Sequence, residues 1–191
     1  MTNASWVYAR AAGLVSWWLL AGDVVLGAVL AAGRRRGSGA RWLIAMHRHT
    51  SSLALGFLLV HLWGVLSDTY IGFTLADVAI PFAASWRPAA MAAGSIALWL
   101  LVIVQGTSLA RSRLSRTWWR RLHLSSYAAF ALSTVHAVLA GSEMTNAGAV
   151  ALGAATLVAV AAVTGIRVRG LRSSAAALTE PGIDEGGDDR R

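Results

Sequence analysis

The stretch RWLIAMHRHTSSLALGFLLVHLWG, residues 41–64, decides how the rest of the chain is interpreted. It is long and apolar enough to form a helix across the hydrocarbon core of a bilayer, which takes about 20 residues. Yet it carries three histidines, His47, His49 and His61. Ionisable side chains are costly in lipid and usually serve a function there. The stretch therefore predicts a membrane helix that binds a ligand.

The overall composition fits a small membrane protein. The chain has 191 residues, 56% of them hydrophobic, with nine tryptophans and no cysteine. This hydrophobic share is above that of an ordinary soluble domain. Because cysteine is absent, a disulfide scaffold, an iron–sulfur cluster and a cysteine-ligated zinc site are all excluded.

The positive charge of the chain is interpreted as a topology signal. The net charge is +8, and all seventeen basic residues are arginines, which lie in short clusters between long apolar runs. Arginine clusters beside apolar spans mark the cytoplasmic side of a membrane protein. A nucleic-acid-binding face would not alternate with long stretches of Leu, Ala and Val. We therefore expect the lipid bilayer, and no nucleic acid, as a partner.

Apolar segments long enough to cross a bilayer occur five times, and none of them contains a proline. They predict an all-α fold, an integral membrane helical bundle of about five transmembrane helices. A long loop at 67–88 contains four aromatic residues and is predicted to lie on the outer membrane surface. The predicted spans are at about 11–32, 42–66, 89–110, 119–140 and 147–166.

The arginines also predict the orientation of the spans. They are frequent in the connections after spans one, three and five, and rare in the others. The positive-inside rule places the N-terminus outside and the C-terminus in the cytoplasm, and we expect a multi-pass protein of the bacterial cytoplasmic membrane. Residues 1–172 form the predicted membrane domain. Residues 173–191, which are Gly-rich and acidic, are predicted to be a disordered cytoplasmic tail.

Four of the five histidines form a regular pattern on two spans. His47 and His61 lie on the second span with thirteen residues between them, and His123 and His136 lie on the fourth with twelve between them. A helix rises about 1.5 Å per residue, so each pair is separated by roughly 20 Å. Because both spans run from inside to outside, His47 and His123 share an inner level, and the other two share an outer level.

Two histidines at each of two levels are suited to haem. Haem iron accepts two axial imidazoles, one on each face of the ring. The pattern predicts two haem b groups, one between His47 and His123 and one between His61 and His136, bound without a cysteine link. Zinc is a poor alternative, because the pairs lie too far apart to share one ion. On an ideal helix, however, His136 is rotated by about 140° from His123, which the sequence does not explain.

Two other interpretations of the histidines remain open. A single histidine in a membrane span often only hydrogen-bonds to a neighbouring helix. His49 lies two positions after His47 and so points to another side of the helix. His49 is interpreted as an interfacial residue or a contact of a haem propionate. In the alternative interpretation, His49 is the inner ligand in place of His47.

Cationic side chains near the inner level are candidates to neutralise haem propionates. Arg48, Arg120 and Arg121 flank the two predicted inner ligands in the sequence. Contact with lipid phosphate is an equal alternative for each of them. At the outer level, Tyr70 and Arg87 are weaker candidates.

Three more residues within the spans have open roles. Phe57 and Phe130 fall between the histidine levels, where an aromatic ring could shorten an electron-tunnelling gap, although core packing is the simpler interpretation. Asp23 lies in the middle of the first span, where a lone carboxylate needs a partner or a proton. A proton path, a hydrogen bond from a tryptophan and a neutral protonated state all remain open. No internal sequence repeat is evident.

The histidine spacing, the segment WWRRLHLSSYAAF (118–130) and the loop segment GFTLADVAIPF (72–82) resemble the ferric reductase-like transmembrane domain family. That family includes NADPH oxidases, ferric reductases and the haem-bearing membrane subunit of bacterial methionine sulfoxide reductase systems. The resemblance covers about residues 10–170, and the spacing is its most specific part. It implies the same inner and outer haem ligands. The family often has six spans, whereas five are predicted for this chain.

The resemblance implies an oxidoreductase component that moves electrons across the membrane. Family members that oxidise NADPH carry a flavin and nicotinamide module after the last span, whereas about twenty-five residues follow it here. We therefore expect a separate donor: a cytoplasmic flavin protein, a flavin bound at the cytoplasmic face, or a quinol. The expected external acceptor is ferric iron, oxygen or a periplasmic reductase. A haem subunit dedicated to methionine sulfoxide repair and a non-redox haem-binding membrane protein are the alternatives.

Overall fold

The computed structural model describes residues 4–31, 38–141 and 147–177, and this part of the chain contains helices and no strand. The predicted all-α fold is therefore confirmed for the described residues. A 3₁₀ turn at Arg111–Arg113 lies between the fourth and fifth helices. The helices are α1 (Ala4–Ala31), α2 (Ser38–Leu66), α3 (Leu75–Ala79), α4 (Pro88–Leu109), α5 (Arg116–Ala140) and α6 (Ala147–Ala177).

Four of these helices, α1, α2, α4 and α5, are long and apolar enough to cross a membrane. Such a set is typical of a multi-pass membrane protein. In α6 the apolar stretch found among the described residues, Gly153–Ile166, is shorter, so the fifth span stays a prediction. The helix α6 continues to Ala177, past the predicted start of the tail at residue 173. Residues 178–191 lie outside the described residues.

The starts of α4 and α5 follow from local chemistry. Pro88 occupies the beginning of α4, where a missing backbone N–H breaks no helical hydrogen bond. Ser115 precedes α5, and its hydroxyl oxygen accepts a hydrogen bond from the backbone N–H of Trp118. Such a cap satisfies one of the free N–H groups at a helix start. The turn between the two helices is therefore set by the sequence.

The helices pack as two main pairs, α1 with α2 and α4 with α5, and α1 also contacts α5 and α6. Small residues allow the first pair to approach closely. A Cβ added at Gly64 would lie only 2.9 Å from atoms of Ala9 and from the carbonyl oxygen of Ser5. Close approach through small residues is a common basis of helix association in lipid, because the hydrophobic effect contributes little to the free energy of association there.

The two ends of the bundle differ in character. The loop end carries residues 67–87, including α3, and the arginine end carries the turn at Arg111–Arg113. At the loop end, Phe73 and Val78 are buried against Ala9 of α1. The indole N–H of Trp99 also donates to the carbonyl oxygen at the end of α3, over 2.7 Å. The loop is therefore fixed across the ends of the spanning helices.

The helix α3 is held by a reciprocal cap. The Thr74 hydroxyl oxygen accepts from the backbone N–H of Asp77, and the Asp77 carboxylate accepts from the backbone N–H of Thr74. The hydrogen bond from the Thr74 side chain lowers the pKa of the Asp77 carboxyl below its usual range. Around this cap, Tyr70, Leu75 and Phe82 are largely exposed. The outer surface of the loop is therefore apolar, as the predicted interfacial segment requires.

An aromatic pair fills the middle of the bundle. The rings of Trp17 and Phe130 stack with their centres 5.8 Å apart, and both residues are buried together with Val160 of α6. The Trp17 indole N–H donates to the Thr134 hydroxyl over 2.9 Å. These contacts join α1, α5 and α6 between the two histidine levels. Phe57, in contrast, is 38% exposed.

Candidate cofactor site: two histidine pairs

The structure brings the four predicted ligands together as two pairs. The ring centres of His47 and His123 are 6.1 Å apart, with the ring planes at 75°. Those of His61 and His136 are 6.2 Å apart, with the planes at 80°. In each pair one histidine comes from α2 and the other from α5. The rotation of about 140° expected on an ideal helix does not prevent either contact.

The pairs lie toward opposite ends of the bundle. We call His61 and His136 the loop-end pair, and His47 and His123 the arginine-end pair. On α2 the two histidines are fourteen positions apart, which corresponds to roughly 20 Å of helix. The two pairs are therefore two separate sites in one bundle.

The ring spacing fits two imidazoles that share one metal ion. A metal–imidazole bond is about 2 Å long and the ring centre lies about 1 Å beyond the nitrogen, so rings on opposite sides of one metal have centres about 6 Å apart. Both observed spacings agree with this value. The angle between the ring planes is compatible as well, because each ring can turn about its own metal–nitrogen bond.

The loop-end pair is oriented by backbone carbonyl groups. The Nδ1 atom of His61 lies 2.7 Å from the carbonyl oxygen of Ala9, and Nδ1 of His136 lies 2.8 Å from that of Ala90. A carbonyl only accepts, so each Nδ1 carries the proton and donates it. Each Nε2 is then left with a free lone pair. This is the arrangement in which histidine binds a metal, with the other ring nitrogen held by an outer partner.

A glycine lies against each loop-end imidazole. A Cβ added at Gly13 would lie 2.7 Å from Nδ1 of His61, and one added at Gly94 would lie 2.7 Å from Nδ1 of His136. Real Cβ atoms do not approach so closely. Glycine is therefore needed at both positions to make room for a ring.

These contacts reveal a repeat that was not evident in the sequence alone. The segment ARAAG, residues 9–13 of α1, corresponds to AMAAG, residues 90–94 of α4. In each, the first alanine supplies the carbonyl and the glycine supplies the space for one imidazole. Because α1 packs on α2 and α4 packs on α5, the site consists of two similar halves. This short correspondence was not identified from the sequence.

A cavity surrounds the loop-end pair. Its volume is about 180 Å³, and its lining is mainly apolar. Aromatic side chains at its loop end include Trp6, Phe73 and Trp86, and Arg10 contributes a cation. Arg10 was not among the residues predicted from the sequence at this level.

The arginine-end pair has side-chain partners instead of carbonyl partners. Nδ1 of His47 lies 3.4 Å from a carboxylate oxygen of Asp23. Nδ1 of His123 lies 3.5 Å from the hydroxyl oxygen of Ser108. A Cβ added at Gly27 would meet His47 at 3.7 Å, which is ordinary contact. This pair is therefore held more loosely than the loop-end pair, and one of its partners can carry a charge.

A tryptophan with a free donor borders the arginine-end pair. The Trp119 ring stacks on His123 with the ring centres 4.9 Å apart and the planes at 20°. The Arg111 guanidinium lies over the Trp119 ring, 4.6 Å from the ring centre. Within the described residues, the buried indole nitrogen of Trp119 has no hydrogen-bond partner. A buried donor without a partner is unusual and fits a site that binds an anionic group such as a propionate.

The other candidate residues of the arginine end are exposed. His49 is exposed and lies with Arg48 in a shallow surface depression, so His47 is the residue that faces His123. Arg120 is exposed, and Arg121 is exposed and lies over Trp118. Their predicted contacts with propionates stay predictions.

At the loop end, Tyr70 is 92% exposed. Arg87 donates a hydrogen bond to the carbonyl oxygen of Leu139 and lies over the ring of Trp86. Neither residue is among those that line the cavity. Arg10, which does line it, is therefore better placed near the loop-end pair.

The two pairs are not part of a larger ligand cluster. Within residues 4–31, 38–141 and 147–177, no three His, Cys, Asp or Glu side chains are grouped so that they could hold a metal ion. Two imidazoles match the axial positions of a haem, whose ring supplies the remaining ligands. Comparison with protein-family models, curated proteins and solved structures found no match to this chain.

Proposed function

We propose that the protein is a membrane b-type cytochrome of ferric reductase-like type, which carries electrons across the bacterial cytoplasmic membrane. The arginine-end pair, His47 and His123, would hold the inner haem b. The loop-end pair, His61 and His136, would hold the outer one. The protein is then an oxidoreductase component that works with a separate electron donor.

The observation that carries this proposal is the duplicated pairing of the histidines. Two imidazole pairs with nearly equal ring spacing come from the same two helices. One pair has both Nδ1 atoms occupied by carbonyl oxygens, so that each Nε2 keeps a lone pair for a metal. A histidine that merely joined two helices would not require this spacing and this orientation twice. The buried indole nitrogen of Trp119, which has no hydrogen-bond partner in the described part of the chain, adds an independent indication of an anionic group.

The residues around the pairs supply what an electron carrier needs. Haem bound in this way supplies reversible one-electron chemistry. The carbonyl oxygens of Ala9 and Ala90 orient the loop-end ligands, and the cavity around that site has a mainly apolar lining. The stacked Trp17 and Phe130 close the space between the two levels. With haem bound, the bundle would provide a mainly apolar path across the membrane.

The proposed topology has five spans, with the N-terminus outside and the C-terminus in the cytoplasm. It follows from the arginines, which gather at the arginine end. The donor would approach this end, as a flavin protein or a quinol. The acceptor would approach the loop end, where aromatic side chains line the cavity. Ferric iron, oxygen and a periplasmic reductase are the proposed classes of acceptor.

Haem quantification on the purified chain tests the proposal. Pyridine haemochrome analysis is expected to give two haems b per chain, both six-coordinate and low-spin, with reversible reduction by dithionite. His61→Ala and His136→Ala should each lower the ratio to one and stop the reduction of an external acceptor. His49→Ala is the matched control and should leave the ratio at two, because His49 is exposed and does not face a ring.

Other results would exclude the proposal in identifiable ways. A ratio near one in the fully loaded wild-type protein would contradict the two-site arrangement. Bound haem that cannot be reversibly reduced would favour the non-redox haem-binding alternative. Stoichiometric copurification of a periplasmic reductase on the loop end would favour the alternative of a subunit dedicated to methionine sulfoxide repair.

A further inference from the structure

Asp23 is a buried carboxylate in α1 that the histidine pairing alone does not explain. Only 7% of the residue is exposed, and it lies in a helix apolar enough to cross a membrane. A carboxylate in such a place is costly unless its surroundings stabilise it. In the described part of the chain, no arginine forms an ion pair with Asp23, and its ionic contact is with His47. Its role must therefore be found among its neighbours on α2.

Both carboxylate oxygens of Asp23 face polar groups of α2. One accepts a hydrogen bond from the hydroxyl of Ser51, over 2.5 Å. The other lies 3.4 Å from Nδ1 of His47. These last two atoms are buried and face each other, and neither has a hydrogen-bond partner within the described residues. Ser51 follows His47 by one helical turn and also contacts its carbonyl oxygen. Asp23 therefore holds the segment of α2 that presents His47.

This arrangement makes the two sites chemically different. At the loop end, both imidazoles face neutral backbone carbonyl oxygens. At the arginine end, His123 faces the neutral hydroxyl of Ser108, whereas His47 faces a carboxylate. Among the four partners of Nδ1, only the one from Asp23 can carry a full negative charge. Any electrostatic difference between the sites that arises from the ligand partners therefore comes from this residue.

The carboxylate has a defined effect on a metal bound by His47. A carboxylate that accepts from the outer ring nitrogen makes the imidazole a more basic ligand and fixes its orientation. The more basic ligand favours the oxidised, more positive metal, and so does a nearby negative charge in a medium of low dielectric constant. Both effects act in the same direction and lower the reduction potential.

We infer that Asp23 is a positioning residue for the arginine-end haem, which orients His47 and lowers the reduction potential at that site. The inference rests on the proposed function and assigns the lower reduction potential to one of the two haem sites. The lower potential favours transfer of an electron from the arginine end to the loop end. With the proposed topology, this direction is from the cytoplasm to the outside.

Redox titration of the purified full chain, followed by haem absorbance, tests the inference. In Asp23→Asn the side chain keeps its shape and an acceptor oxygen but loses its charge. The reduction equilibrium of one of the two haems should shift at least tenfold toward the reduced form. This corresponds to a rise of about 59 mV in its reduction potential for a one-electron couple. The potential of the other haem should not move. In a His136→Ala background, which leaves the arginine-end haem, the same rise should appear.

Asp77→Asn is the matched control, since it makes the same acid-to-amide change at an exposed position in the loop. It should leave both potentials unchanged. If each haem has the same reduction potential in Asp23→Asn as in the wild type, the inference is overturned while the proposed function stands. The same holds if only the loop-end haem potential rises. A wild-type chain without haem would overturn both.

A loss of haem in Asp23→Asn is also decisive. If one haem is lost and Asp23→Glu restores it with the wild-type potential, the charge is required to hold His47, and the inference is supported. If both haems are lost in both variants, Asp23 only stabilises the fold, and the inference fails. Haem content and the two potentials therefore separate a positioning role from a structural one.

Discussion

The Nδ1 atom of His61 lies 2.7 Å from the carbonyl oxygen of Ala9, which precedes it by 52 positions on a different helix. A main-chain carbonyl cannot donate a proton, so this contact fixes which nitrogen of the ring is free. His136 is held in the same way by Ala90. The orientation of a candidate ligand thus depends on a neighbouring backbone and on the glycine that lets the ring approach it.

A methyl group at that glycine should displace the ring. In Gly94→Ala the new Cβ would lie 2.7 Å from Nδ1 of His136, so the imidazole must move away from Ala90. Gly13→Ala should displace His61 in the same way. We expect each variant to lose the loop-end haem, with the haem-to-protein ratio falling from two toward one in pyridine haemochrome analysis.

Two other glycines provide matched controls on the same helices. A Cβ at Gly22 of α1 or at Gly106 of α4 would meet no atom within 4 Å. Replacement of glycine by alanine inside a helix stabilises it by about 1 kcal/mol. Gly22→Ala and Gly106→Ala should therefore keep both haems. If Gly94→Ala also keeps both, His136 does not bind haem in the orientation described above.

Removal of the free donor at the arginine end should weaken one site. Trp119→Phe keeps an aromatic ring that can stack on His123 but lacks the buried N–H. A hydrogen bond to a charged group is worth about 1.5–3 kcal/mol. We expect the affinity for the arginine-end haem to fall by about tenfold or more. Transfer of haem to an acceptor protein that binds haem and initially holds none measures this change.

The neighbouring tryptophan serves as the comparison for this variant. Trp118 is 60% exposed, so Trp118→Phe should release haem as slowly as the wild type. Equal release rates for Trp118→Phe and Trp119→Phe would show that the indole nitrogen has no haem partner.

The exposed arginines beside α5 should steer an acidic electron donor. Arg113 and Arg116 are exposed at the arginine end. A positive surface accelerates encounter with an acidic protein, and salt weakens the effect. Arg113→Gln with Arg116→Gln should slow haem reduction by a cytoplasmic flavin reductase several-fold at low salt, and less at high salt, in stopped-flow measurements. NADPH added without that reductase should not reduce the haem.

Arg10→Gln is the control for net charge, because Arg10 lies near the loop-end pair. It should not change the salt dependence of reduction. A salt response identical in the double variant and the wild type would place the donor elsewhere.

The orientation of the chain can be measured with single cysteines, since the natural sequence has none. Thr69→Cys lies in the loop at 67–87 and Ser112→Cys lies in the turn before α5, and both positions are exposed. In intact cells, a membrane-impermeant maleimide should label the first, and should label the second only after permeabilisation. If α6 crosses the membrane, Ser174→Cys should behave like Ser112→Cys; labelling of Ser174→Cys in intact cells would contradict the fifth span.

Much of the architecture was predictable from the sequence because membrane helices are determined locally. Runs of Leu, Ala and Val long enough to cross a bilayer must form helices in lipid, where every backbone group needs an internal hydrogen bond. The spans at 42–66, 89–110 and 119–140 therefore agree with α2, α4 and α5 within a few residues. The spacing of the histidines along two helices also predicted which rings would meet, because helical rise converts sequence separation into depth.

What surrounds the rings was decided only by the tertiary structure. The carbonyl oxygens of Ala9 and Ala90 leave no mark in composition or hydropathy, and each reaches its histidine from another helix. Asp23 had several open roles until the packing of α1 on α2 placed it beside His47. Sequence determines which residues share a helix and at what depth, because those relations are local. It does not determine which face of one helix meets another, since that depends on how small residues such as Gly13 and Gly94 let the helices pack.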